Sequence, residues 1–322
     1  KDRYFTVNQN TAPAGWSRIG FATSSYPTPS GNGTLVKLYP DGSTSTNTGA
    51  DGIRIVEPTT QPTSLEFYTD SLQSLNTYSS EYKTNELKED IHYKMLNTID
   101  FFDNVKGSFH YWSKSANFDY LVDYNVKSGN NPSSKVKVKV GNKNVVESSY
   151  DGESQIILFN NHKEYVNSKV SFDKAYKDSE KKKLGEKAKD RYQTDNNEKI
   201  YIYRSDYTNM HAAKDSLLPQ EVALGYLEDY SKWNIIDTPK LFNLETVLIE
   251  GTFNDYYKTK HEASTFKMWV HKDSGVLLKL EEYNDLGELV SSLATEKIKF
   301  NNKLTDRISG LDIPPNYKNK NK

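Results

Sequence analysis

The chain has 322 residues, 35 % of them hydrophobic and 26 % charged, with a formal net charge of -1. That length allows one large domain or two ordinary ones, and the near-zero charge supplies no global field for nucleic acid. The absence of cysteine excludes disulfides, thiolate metal sites and cysteine nucleophiles, and no run of about 18 apolar residues offers a membrane-spanning helix.

A mean hydropathy of -0.80 is polar for a globular protein. The 23 Tyr and 13 Phe supply large side chains, so tyrosines are expected to line a core or a cleft. The chain opens on Lys1-Asp2-Arg3-Tyr4-Phe5, neither an initiator methionine nor a signal peptide, and a trimmed ectodomain or mature exported protein is expected. Residues 1–80 are rich in Ser, Thr, Gly and Pro. Within them "GTLVKLY" and "GIRIVEP" read as short strands around a Pro40-Asp41-Gly42 turn, and the remainder as loop. Asp41 through Asp51 lacks the inner acidic positions and the terminal Glu of a calcium loop.

From Asn85 the pattern changes. "ELKEDIHYKMLNTIDFF" places Leu87, Ile91, Met95, Ile99 and Phe102 on one stripe, which predicts a helix with Glu86, Glu89 and Asp90 in its first turn and Gly107 at its end. Strands are expected at "SFHYWS", "FDYLVDYNVK", "SSKVKVKVG", "VVESSYDGESQIILFN" and "KEYVN". In "KVKVKV" Val136, Val138 and Val140 share one face and Lys135, Lys137 and Lys139 the other, the mark of a sheet with one wet side. The lysine-rich "FDKAYKDSEKKKLGEKAKDRY" reads as a solvated surface helix carrying Leu184, Ala188 and Tyr192 on one side. A second helix is predicted over "LLPQEVALGYLEDYSKW" with Ser216 as its N-cap. "LFNLETVLIEGTFND" and then "MWVHKDSGVLLKLEEYNDLGELVSSLATEKIKFN" read as strands closing the sheet, with turns at Lys272–Gly275 and Asn284–Gly287. Met268, Val270, Val276, Leu278 and Leu280 fall on one apolar face of that stretch.

Marked chemistry is missing. There is no Gly-x-Ser-x-Gly elbow, His-Glu-x-x-His, Walker loop or Gly-x-Gly-x-x-Gly. Six scattered histidines include no His-x-His or His-x-x-x-His pair, and adjacent carboxylates such as Glu281-Glu282 point to opposite faces of a strand. These absences point to a binding protein without metal, cofactor or catalytic residue, while carboxylates distant in sequence leave a glycosidase or protease of unmarked type as the alternative.

The order of elements and the closing meander resemble the LolA/RseB-like superfamily of bacterial envelope proteins over residues 85–316. Its members carry a W-V/I-D-x-x-T/S-G-L-P-L-K-x-E-x-Y-D-x-x-G-x-L-V meander followed by x-I-K-F/V-N, matched here by "MWVHKDSGVLLKLEEYNDLGELV" and "KIKFNNKL", ending at "IPPNY". "MLNTIDFFDNVKGSFHYWS" is similar to the opening helix and first strand, and "VESSYDGESQIILFNNHKEYV" to a later hairpin. His271 stands where the family has an acidic residue, and Val276-Leu277 replaces its Leu-Pro.

The resemblance implies an α+β fold for residues 81–318: a curved, unclosed antiparallel sheet, a half-barrel, wrapped around a few helices. It says nothing about residues 1–80, which their own composition marks as an extra β/loop segment. It also implies an apolar cleft that holds an acyl chain, or a scaffold that senses envelope state. The cleft residues it suggests are Phe102, Phe109, Tyr111, Trp112, Val122, Leu158, Trp233, Leu248, Phe253, Trp269, Leu278 and Leu280. Two functions are expected on this basis. One is the ectodomain of a membrane-anchored regulator on a Gram-positive surface, anti-sigma-type or linked to sporulation or germination, with a protein or lipid partner and no nucleic acid. The other is a lipid or lipoprotein carrier. A filled core favours the first and a deep open apolar cavity the second.

Overall fold

A computed structural model describes residues 77–170, 172, 174–196, 198–301 and 307–320. The short strands and turn expected within residues 1–80 lie outside the described residues. The architecture is that of the compact unit Tyr82–Lys322.

Helix α1 spans Thr77–Leu96. It begins earlier than the charge pattern indicates, so Glu86, Glu89 and Asp90 sit mid-helix and not in the first turn. Ile91 and Met95 are fully buried. Asn97 ends the helix: its backbone N–H returns to the Lys94 carbonyl at 3.0 Å and its side chain donates to the Tyr93 carbonyl at 2.9 Å. Ile99 lies in a short 3-10 turn, Thr98–Asp100. Gly107 does not end the helix. It sits inside the first strand, where a Cβ would collide with the Lys297 carbonyl and lie 2.6 Å from the Tyr124 hydroxyl.

Six strands follow: β1 Asn104–Ser113, β2 Phe118–Lys127, β3 Ser133–Val140, β4 Lys143–Tyr150, β5 Ser154–Phe159 and β6 Glu164–Lys169. The period-two reading of β3 holds, with Val136 at 1 % exposure, but Val140 at 51 % runs beyond the covered part of the sheet. On the wet face Lys137 pairs with Glu147 at 3.3 Å and Lys139 with Asp123 at 2.5 Å, so neighbouring carboxylates occupy those two lysines.

The excursion between β6 and the second meander carries α2 Lys174–Leu184, the ribbon β7 Tyr192–Asp195 with β8 Glu198–Tyr201, then α3 Lys214–Leu217 and α4 Gln220–Tyr226. Gly185, at φ +70°, stops α2, so the expected i, i+4, i+8 stripe is split: Leu184 ends a helix, Ala188 lies in a 3-10 turn and Tyr192 in a strand. The single helix expected after Ser216 is broken by Leu218-Pro219. Ser216 is inside α3 and donates to the Leu277 carbonyl at 2.8 Å instead of capping.

The second meander comprises β9 Trp233–Asp237, β10 Lys240–Leu241, β11 Leu244–Thr252, β12 Thr265–His271, β13 Leu277–Tyr283 and β14 Leu289–Phe300, with α5 Asp255–His261 between β11 and β12. The side chain of Asn254 caps α5, accepting from the Tyr257 N–H at 3.0 Å. A short β15, Lys318–Asn319, pairs with β6 in parallel.

Among the described residues thirteen strands form one sheet, in the order β10-β11-β12-β13-β14-β1-β2-β3-β4-β5-β6-β15, with β9 beside β11. Apart from β15 every pairing is antiparallel, and the sheet is curved and unclosed, as the resemblance implied. The two meanders meet at β1–β14, where Val105 faces Phe300 and Ser113 faces Ser291. One core joins α1, α3 and α4 to the inner sheet face, where Met268, Val270, Val276, Leu278 and Leu280 are all at most 1 % exposed. Burying each such side chain stabilises by about 1.5–3 kcal/mol. No helix among the described residues is long and apolar enough to cross a membrane.

Candidate functional site

Strand parity sorts the twelve residues expected at a cleft. Phe102, Phe109, Val122, Trp233, Phe253, Leu278 and Leu280 belong to the common core, and Tyr111 packs on it. Leu158 on β5 is buried outside that cluster. Trp112, Leu248 and Trp269 do not join them. Phe109, Ile249, Met268 and Val270 point inward, so their odd-step neighbours face the other side of the sheet. There Leu248 lies opposite Trp269, and the Lys279 ammonium sits 4.5 Å from the Trp269 ring centre.

The inner face is packed. Phe109, Val122 and Leu278 have zero exposure, so no water-sized space touches them. A solvent-open groove of about 660 Å³ lies instead beside the helices, where α1, the β7–β8 ribbon, the turn after α4 and the segment after β11 converge. Its lining includes His92, Tyr192, Tyr226, Tyr230, Phe253, Thr252, Asn254 and Gly225.

His92 organises one wall. Tyr192 donates its hydroxyl to the Leu224 carbonyl at 3.0 Å, so its oxygen accepts from the His92 Nε2–H at 3.2 Å. The other ring nitrogen, Nδ1, then accepts from the Tyr230 hydroxyl at 3.2 Å. Burial drives the His92 pKa down to about 3; a backbone hydrogen bond to Ala223 opposes this and the Arg191 charge adds to it. The imidazole is therefore neutral, with both nitrogens engaged. Behind Tyr230, Lys88 donates to the carbonyls of Tyr230 at 2.9 Å and Trp233 at 2.6 Å, with its ammonium over the Trp233 indole, and burial lowers its pKa.

The floor rests on a buried acid. Glu282 of β13, 1 % exposed, accepts from the Tyr226 hydroxyl at one oxygen and faces His261 Nδ1 at 3.1 Å with the other. Burial and then the Glu282 charge push the Tyr226 phenol well above its ordinary value. Phe253 stacks on His261 and packs on Tyr226. A second acid, the partly buried Asp215 of α3, accepts from Tyr120 at 3.0 Å, and desolvation raises its pKa to about 6.

Arg191, 1 % exposed, ties the ribbon to the helices. It donates to the Leu96 carbonyl at 3.3 Å and Asn97 Oδ1 at 2.6 Å, satisfying the end of α1, and to the Ile202 carbonyl at 2.9 Å. Burial first, then Arg204, lower its pKa to about 10, and it stays charged.

At the rim Glu228 accepts from Lys199 and from Tyr201 at 3.3 Å, and Asp229 accepts from the Ser231 hydroxyl at 2.6 Å. Among the described residues no group of three or more His, Asp or Glu is placed to hold a metal. The groove therefore offers aromatic rings beside side chains of both charges. Of the cleft residues read from sequence, Phe253 alone lines it. The rest of its lining had one signal, the high tyrosine count.

No family model and no curated protein matches this chain. Solved structures do match its path. The MucA/MucB complex of Pseudomonas aeruginosa aligns at 12 % identity and TM-score 0.37, covering 66 % of this chain and 57 % of that one, so this chain spans little more than half of that length. The lipoprotein LppX of Mycobacterium tuberculosis aligns at 12 % identity and TM-score 0.34, over 69 % and 98 %. An outer membrane lipoprotein-sorting protein domain from Vibrio parahaemolyticus aligns at 10 % identity and TM-score 0.26, over 69 % and 94 %. At these values none of them carries the functional reading, which rests on this chain's own side chains.

Proposed function

We propose that the chain is a non-catalytic extracytoplasmic binding or sensing domain of a bacterial cell-envelope protein, working by engaging a partner and not by carrying an acyl chain. The observation behind this is the filled inner face. Phe109, Val122, Val247, Met268 and Leu278 have no exposure, whereas an acyl site needs an open apolar channel. The non-catalytic reading draws support from the way two acids are engaged, the buried Glu282 by Tyr226 and His261 and the partly buried Asp215 by Tyr120. A membrane-anchored regulator on a Gram-positive surface, anti-sigma-type or sporulation-related, is the setting we favour from the sequence.

The test is native mass spectrometry of the chain purified from membranes, with exchange against a labelled fatty acid. The binding-domain reading expects bare protein and no saturable exchange. One tightly held acyl chain per molecule would replace it with the carrier reading.

A further inference from the structure

We propose that the groove between α1, the β7–β8 ribbon and the turn after α4 is a binding site for a neutral oligosaccharide of equatorially linked pyranose rings. This deepens, and rests on, the reading of the chain as a binding domain.

Volume comes first: about 660 Å³ falls within the roughly 300–1,000 Å³ of small-molecule sites. Charge comes next. Glu89, Glu228 and Asp229 face Lys189, Lys199 and Lys232 around the groove, and the low pKa of His92 keeps it neutral. Three negative groups against three positive ones leave no surplus to attract a phosphate, a lipid headgroup or a nucleic acid.

The rings then select the ligand. Tyr192 and Tyr230 have their hydroxyls tied inward to His92, so what they present to the groove is ring carbon. Both are partly exposed. Around them stand hydrogen-bonding side chains, among them Glu228, Thr252, Asn254 and Lys232. A pyranose with equatorial hydroxyls matches this pattern, having an apolar C–H face to lie on a phenol and polar groups at its circumference. An acyl chain would offer these polar side chains no hydrogen-bonding group. The aromatic surface also continues past the groove. Tyr201 stands edge-on to Tyr192 at 5.6 Å, and Tyr256, 65 % exposed, edge-on to Tyr257 at 5.0 Å. A track of rings longer than one sugar fits a chain of them.

The test titrates the whole chain with chitohexaose and cellohexaose, by calorimetry and by tryptophan fluorescence. Trp233 lies 5.2 Å from the Tyr230 ring and reports on it. Saturable binding of at least one sugar is expected, weakened about tenfold by Tyr230→Ala. Thr252→Arg, which fills the groove from an exposed strand end and leaves the His92 network intact, is expected to abolish it. Absence of saturable binding, equal affinity in a Thr252→Arg chain that retains the native circular-dichroism spectrum, or occupancy of the groove by a peptide that neither sugar displaces would overturn the site. Those results leave the binding-domain reading standing. Chromatographic detection of sugar cleavage would do the reverse, supporting the site and overturning the non-catalytic reading.

Discussion

Gly275 stands against the end of α1: a Cβ on it would lie 2.5 Å from the carbonyl oxygen of Lys94. Its φ of +74° already favours glycine, and Lys94 fixes the same turn by donating to the Lys272 carbonyl at 3.1 Å. Gly275→Ala therefore meets both a backbone penalty and a collision with main chain, which cannot swing aside. A loss of about 2–4 kcal/mol in urea unfolding is expected. The open Gly287, at φ +75° with nothing nearby, is the control, and Gly287→Ala should cost about 1 kcal/mol.

Asp215 and His92 make opposing contributions to acid stability. The Asp215 pKa rises from 3.8 to about 6, so the folded chain keeps a proton there that the unfolded chain has released. That contribution is complete below about pH 4 and is lost as pH rises through 6. His92 falls from 6.5 to about 3, and its contribution is complete above about pH 6.5 and lost as pH drops toward 3. Asp215→Asn should steepen the loss of stability on acidification from pH 6.5 to 4, and His92→Gln should flatten it. Each change should amount to about 2–4 kcal/mol across the interval, read from urea midpoints at both ends.

The Tyr226–Glu282 pair should behave as a buried unit. Tyr226→Phe removes a donor from an acid that cannot reach water, at a cost of about 2–3 kcal/mol. Adding Glu282→Leu removes the acid that has lost its phenol donor and keeps only His261, so the double variant is expected to be more stable than the sum of the single ones. A double-mutant cycle showing strict additivity would contradict this coupling.

Two tryptophans test the face assignment. Trp233, 1 % exposed and donating its indole N–H to the Leu227 carbonyl at 3.1 Å, should cost about 3–5 kcal/mol when changed to Ala. Trp269, on the other sheet face under Lys279, should cost well under half of that. Comparable losses in thermal unfolding would mean that the outer face is also covered.

Strands were legible because parity is a local signal. Phe118–Lys127 and the run from Met268 to Leu280 show their inward residues directly in the sequence. Parity also rules out Trp112, Leu248 and Trp269 as companions of the inner residues; choosing cleft candidates by size overlooks that alternation. Helix limits were less legible. Contacts remote in sequence decide them, as with Ser216, whose hydroxyl serves Leu277, and the end of α1, which Arg191 closes from 95 positions away. The groove was hidden for the same reason. His92 meets Tyr192 across 100 residues and Tyr230 across 138, and no local spacing encodes such a meeting.

The seam between β1 and β14 bears on how the protein is made. Val105 pairs with Phe300, so the first of the described strands to be synthesised waits for a partner almost two hundred residues further along. Until then the nascent meander β1–β6 carries a bare edge ten residues long, the kind of surface that recruits neighbouring chains into aggregates. Shortening the chain anywhere before residue 289 would leave that edge open for good, so truncated forms should fail by clumping and not by gentle loss of stability. Such a long-range closing contact is expected to slow folding.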